Sequence, residues 1–137
     1  MEWILVIALF IADIYSKVLA EKRLKYKPRY YFGGRVQLYY VRNFGIAFNK
    51  LNHRKNFILM CNFALLIYLA YLFTFSLMDR TGLALVLAGG MGNTFNRAAK
   101  GYVIDFLYFS IKGFPVFNFA DFYIFIGIGI LLIQDLI

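Results

Sequence analysis

Only seven of the 137 residues are Asp or Glu, so the positions where acids and amides border apolar runs are informative. Asp121 closes Phe117-Asn118-Phe119-Ala120-Asp121, and Gly89-Gly90-Met91-Gly92-Asn93-Thr94-Phe95-Asn96-Arg97 ends an earlier apolar run. Two adjacent carboxylates can hydrolyse an amide: both cannot ionise side by side, so they share one proton and divide the base and acid roles. In these two clusters Asp121 is the sole carboxylate, and an amide, Asn96, stands where a second would complete such a pair. Asn93, Asn96 and Arg97 are three and four apart, on one helix face, and require a shared partner. Asp13 and Lys17 are also four apart, acid first, the better order for an ion pair. Plainer readings accompany each. Asn118 three before Asp121 reads as a helix cap with an acid in the first turn, and Asp13 with Lys17 as a structural pair at membrane depth.

The elements that must position these groups are membrane helices. Hydrophobic residues make up 62% of the chain and charged residues 16%, too oily for a soluble fold of this size. Hydrocarbon offers no partners to backbone polar groups, so long apolar runs there become helices. The sequence predicts one domain with four transmembrane helices, at about 3–20, 56–78, 82–96 and 119–137. The first spans about 27 Å, close to the hydrocarbon thickness. A cleavable signal peptide is the rival for it, disfavoured by Asp13 and by the lack of a basic stretch before Trp3. Ala84, Ala88 and Gly92 at four-residue spacing allow close helix packing, and no strand precedes them to suggest a nucleotide loop. Between helices, residues 29–48 and 101–109 are rich in Tyr, Phe and Val, with Gly33-Gly34 as a turn, and predict a small interfacial sheet.

The net charge of +8 places ten of fifteen Lys and Arg between the first two apolar runs, where membrane lipids are the expected partners. No nucleic-acid motif accompanies the charge. His53 has no second His or Cys, so no metal is expected and no cofactor. Cys61 reads as a small buried hydrophobe.

In combination the clusters resemble the lipoprotein signal peptidases (signal peptidase II), small four-helix membrane aspartic proteases. Asp13-Ile14-Tyr15-Ser16-Lys17 is similar to the family's D-Q-x-[ST]-K, though without its Gln, and Arg42-Asn43-Phe44-Gly45-Ile46-Ala47-Phe48 to R-N-x-G-x-A-F. The Gly89–Arg97 cluster resembles G-G-x-x-G-N-x-x-D-R. Gly101-Tyr102-Val103-Ile104-Asp105-Phe106 resembles G-x-V-x-D-F, and Phe117 to Asp121 resembles F-N-x-A-D.

The resemblance implies a membrane α-helical fold with a small extracytoplasmic β-cradle. It implies an endopeptidase of the bacterial cytoplasmic (inner) membrane that removes prolipoprotein signal peptides by cutting before a diacylglyceryl-modified cysteine. Asn96 falls at the position taken for the first catalytic aspartate and Asp121 at the second. On that assignment the chain is inactive or nearly so, whether Asn96 is engineered or natural, and Asp105, matching a separate family position, does not substitute. Asn43, Gly45, Asn93, Arg97 and Asn118 would bind substrate or support the site, Asp13, Lys17 and Asp105 would be structural, and the cyclic peptide globomycin is a candidate inhibitor. The alternative is a non-catalytic membrane protein that binds lipidated signal peptides or lipid. Charge counting alone would put the basic region in the cytoplasm, whereas the resemblance puts it outside.

Overall fold

A computed structural model describes residues 2–45, 55–75, 78–134 and 136. His53 and Ile46-Ala47-Phe48 of the second motif lie outside the described residues. Among the described residues are four α-helices and three strands: α1 (Glu2–Leu24), β1 (Arg29–Tyr31), β2 (Val36–Asn43), α2 (Lys55–Phe75), α3 (Arg80–Lys100), β3 (Val103–Phe109) and α4 (Phe119–Gln134). Helix α1 and residues 56–75 of α2 are long and apolar enough to cross a membrane, and α4 is a shorter apolar helix of 16 residues.

Helix α1 continues past Ala20 because Ala20 and Leu24 pack beneath the sheet on Ile104 and Phe106. On its other side Glu21 pairs with Lys100 of α3 and accepts from the Tyr40 hydroxyl of β2 at 3.3 Å. Strands β1 and β2 form the hairpin that Gly33-Gly34 suggested. Phe32, Gly33 and Gly34 all have positive φ, a run that L side chains resist and glycine accepts. Strand β3 joins the other edge of β2, giving an antiparallel sheet in the order β1-β2-β3. Its register shifts between Leu38 and Val41, a bulge of the kind that re-aims neighbouring side chains, and Val41 is the partner of Asp105.

Helix α3 starts at an Asp79 cap, whose carboxylate accepts from the Gly82 N–H at 2.7 Å. It ends at Gly101, in the left-handed conformation at φ 81°, whose N–H bonds Arg97 O at 2.9 Å. That reversal folds β3 back over the end of α3. The helical core joins Val6, Phe73, Leu83, Ala84, Leu87 and Ala88. Small residues of α3 serve two neighbours. A Cβ on Gly127 of α4 would lie 2.6 Å from Gly82 O, and one on Gly89 would run into Ala120 O, so α3 and α4 touch backbone to backbone. A Cβ on Gly92 would fall on the Asp13 carboxylate of α1. Outward faces are apolar, with Ile4, Ile11, Ile67, Tyr71 and Phe125 exposed, as lipid requires.

Candidate active site

The polar clusters converge where the end of α3, the start of α4 and strand β3 meet. Asn118 is fully buried and works as the cap its spacing suggests: its Oδ1 accepts from Asp121 N at 3.1 Å, and its own N–H donates to Asp121 Oδ2 at 3.0 Å. This reciprocal pair fixes the Asp121 carboxylate in the first turn of α4, where the helix dipole favours negative charge. The other oxygen, Asp121 Oδ1, accepts from Asn93 Nδ2 at 2.9 Å.

A second carboxylate, Asp105, is joined to Asp121 through Asn118. Its neighbours Ile104 and Phe106 face α1, so alternation along the strand sends Asp105 the other way. Asp105 is 2% exposed, and Asn118 Nδ2 donates to its Oδ1 at 2.6 Å while Asn43 Nδ2 donates to its Oδ2 at 2.7 Å. Asn118 therefore bridges the two acids, side chain to Asp105 and backbone N–H to Asp121. Burial pushes the Asp105 carboxyl above its ordinary value of 3.8; the Asn43 and Asn118 hydrogen bonds oppose that rise and the Asp121 charge adds to it. Asp105 is thus the buried carboxyl that its surroundings bias toward the protonated form.

Asn96 does not join this pair, contrary to the expectation from its position. It is 3% exposed, and its Oδ1 accepts from the backbone N–H of Ile104 at 3.2 Å. The physical reason is the Gly101 reversal. A helix face shared by Asn93 and Asn96 is split by the returning strand, so Asn93 meets α4 while Asn96 clamps the start of β3. Arg97, half-buried, lies within electrostatic reach of both Asp121 and Asp105.

Asp13 and Lys17, expected to be structural, reach the same site. Lys17 Nζ donates to Asp13 Oδ2 at 2.7 Å and to Asn93 Oδ1 at 2.9 Å, and Asp13 Oδ1 accepts from the Ala120 N–H at 3.0 Å. An ammonium can only donate, so Lys17 holds the Asn93 carbonyl toward itself and leaves the Asn93 NH₂ for Asp121. Among the described residues no buried side-chain polar atom lacks a partner. Gly45 is placed by the Asn43 side chain, whose Oδ1 accepts from Gly45 N at 2.8 Å.

Two cavities of opposite character flank the acids. One of about 330 Å³ is lined by Arg42, Asn43, Gly45 and Asp105 with Pro115 and Val116. There Arg42 lies over the rings of Tyr40 and Tyr102, 5.9 and 5.2 Å from their centroids. The other, about 220 Å³, sets Asp121 among Phe109, Phe114, Phe117, Phe122 and Phe125. Sequence reasoning did not name this aromatic pocket, and it grouped Asp105 with the structural residues rather than beside Asp121. The available signal for Asp105 was a lone charge inside an aromatic strand. Among the described residues no cluster of His, Cys, Asp and Glu is able to hold a metal ion.

The family model described as "Signal peptidase (SPase) II" matches residues 5–137. A lipoprotein signal peptidase of Caldicellulosiruptor bescii is 38% identical over 137 residues, covering 98% of this chain and 89% of that protein. One from Nostoc punctiforme is 43% identical over 100 residues, covering 70% and 63%. Among solved structures, one described as a bacterial membrane enzyme superimposes with a TM-score of 0.88 at 25% identity, covering 98% of this chain and 92% of that one.

Proposed function

Given that this chain belongs to the signal peptidase II family, whose members cleave the signal peptides of bacterial prolipoproteins, we propose that it is an active aspartic endopeptidase with Asp105 and Asp121 as its catalytic dyad. The observation that carries this reading is the bridge by which buried Asn118 holds both carboxylates. Asp121, at a helix N-terminus and held by two donors, takes a proton from the attacking water. Asp105, whose burial favours the neutral acid, donates to the scissile carbonyl oxygen as the tetrahedral centre forms. As that centre collapses, Asp121 passes the proton taken from water to the leaving amine, and Asp105 recovers its own from the hydroxyl as the carbonyl re-forms. Asn96 is a strand clamp in this scheme, so the chain needs no second acid at position 96.

The substrate is an apolar signal helix joined to a polar mature chain through a diacylglyceryl-modified cysteine. The polar cavity beside Asn43 suits the peptide backbone on one side of the cut, and the phenylalanine pocket beside Asp121 suits the apolar side. Globomycin is a candidate competitor for the same space. Four transmembrane helices in the bacterial inner membrane, with the sheet and dyad at the extracytoplasmic face, bring the enzyme to the emerging cut site.

The deciding assay is cleavage of a diacylglyceryl-modified precursor by the chain as it stands. Turnover is expected, and Asn96→Asp brings no large gain. Silence of this chain together with full activity of Asn96→Asp would return the dyad to position 96. Orientation is tested separately by introducing Lys112→Cys, an exposed site after β3, into a Cys61→Ala background. An impermeant thiol reagent is expected to label it in intact cells, and protection would reverse the topology.

Removing the Asn43 side chain has a signed effect on pH dependence. Its hydrogen bond favours ionised Asp105, so Asn43→Ala lets Asp105 keep its proton to higher pH. The alkaline limb of the rate profile therefore moves upward, whereas an unmoved limb would exclude Asp105 as its source. Linkage has the same direction. The stability contributed by protonated Asp105 is complete below 3.8 and is lost as pH rises through the higher folded value.

A further inference from the structure

Away from the dyad, a groove of about 200 Å³ runs between the last turns of α1 and the sheet. Its walls are Leu19, Ala20 and Leu24 of α1 with Leu38, Phe106 and Phe119, and two guanidinium groups, Arg23 and Arg29, complete its lining. Ser16 lies at the deep end, but its hydroxyl already donates to Asp13 O at 2.7 Å, so the inner groove presents carbon. Two surface cations are ion-paired, Arg80 with Glu2 and Lys100 with Glu21, and neither borders this groove. Arg23 and Arg29 have no hydrogen-bond or ion-pair partner among the described residues. They come from different elements and border one apolar slot.

We propose that this groove binds one anionic glycerophospholipid of the surrounding membrane, with its phosphate held by Arg23 and Arg29 and one acyl chain lying along α1 toward Ser16. Guanidinium forks match phosphate oxygens in charge and geometry. From Ser16 to Arg23 the helix rises about 10 Å, most of the roughly 15 Å of hydrocarbon in one leaflet. The exposed rings of Tyr26, Tyr30 and Phe32 sit next to the arginines in sequence, the side chains that favour the head-group level. Lys22, Lys25 and Lys27 in the same stretch add to the attraction for an anionic surface.

The occupant is a phospholipid rather than the lipid of a signal-peptidase substrate, because a diacylglyceryl group is uncharged and makes no use of two guanidiniums. Position agrees. Phe106 faces this groove while the adjacent Asp105 faces the catalytic side, so the two sites lie on opposite sides of β3. The proposal does not depend on which residues form the dyad.

Native mass spectrometry of the intact protein tests it, with phosphatidylglycerol, phosphatidylcholine and dioleoylglycerol supplied at equal concentration. One phosphatidylglycerol is expected to survive activation that strips the other two. The double variant Arg23→Gln/Arg29→Gln loses the retained lipid by about tenfold or more, from the loss of charged hydrogen bonds. The equally large charge change Lys22→Gln/Lys27→Gln keeps it. Leu19→Trp, which narrows the slot without touching charge, also lowers retention. Equal loss in both charge variants, no loss in the arginine variant, indifference to Leu19→Trp, or equal retention of dioleoylglycerol would each overturn the site.

Discussion

Asp105→Asn and Asp121→Asn each lower the rate of precursor cleavage by about 10²- to 10⁴-fold, the usual range for loss of a positioned acid or base. The two losses are not additive, since residues that act as a unit are both disabled when either is removed. Stability separates this from unfolding. Asp105→Asn retains one acceptor, for either Asn43 or Asn118, and sets its NH₂ against the NH₂ of the other; it also removes a buried carboxyl, so its melting temperature falls only modestly. Asp121→Asn retains one acceptor for the Asn118 N–H, and its helix cap weakens only in part. A stable Asp105→Asn protein that cleaves at the parent rate would eliminate the dyad. Asn96→Ala behaves differently. It leaves the Ile104 N–H unpaired, which costs about 1–3 kcal/mol of stability and spares the chemistry of the folded fraction.

The second large effect is on stability. Asp13 and Lys17 are 0% and 1% exposed and are bonded to each other within the helical core. Lys17→Met leaves the Asp13 charge buried without its partner and is expected to cost about 3–5 kcal/mol. Adding Asp13→Asn removes the stranded charge and recovers part of the loss, although the Ala120 N–H keeps only a neutral acceptor. Thermal unfolding in detergent measures both. Lys17 also orients Asn93, so in the fraction that remains folded the turnover number falls while KM holds. A Lys17→Met protein as stable as the parent would show that the ion pair contributes no net stability.

Much of the architecture was legible from periodicity and composition. Apolar runs and the absence of backbone partners in lipid predict the helices, and the glycine pair between aromatic strands predicts the hairpin. The Asn118–Asp121 cap was legible as well, because its residues are local in sequence. The dyad was not. Asn93 and Asn96 share a helix face, and helical spacing alone assigns them the same neighbour. What separates them is tertiary: the left-handed turn at Gly101 lays β3 across that face and gives Asn96 to a backbone N–H. The same turn, with the bulge opposite Asp105, aims a strand carboxylate at α4 from sixteen residues away in sequence. No short-range pattern encodes that approach. The contact of Lys17 with Asn93 was hidden for a similar reason, since the bond crosses between helices.

Among the described residues, the three side chains that directly hydrogen-bond the two acids, Asn43, Asn93 and Asn118, are all carboxamides. A carboxamide presents a strong dipole but has no proton to exchange across the physiological range. The acids are therefore steered by neighbours that cannot join their titration. No proton passes along these three amide contacts, so protons reach the two acids by other routes, through water or substrate.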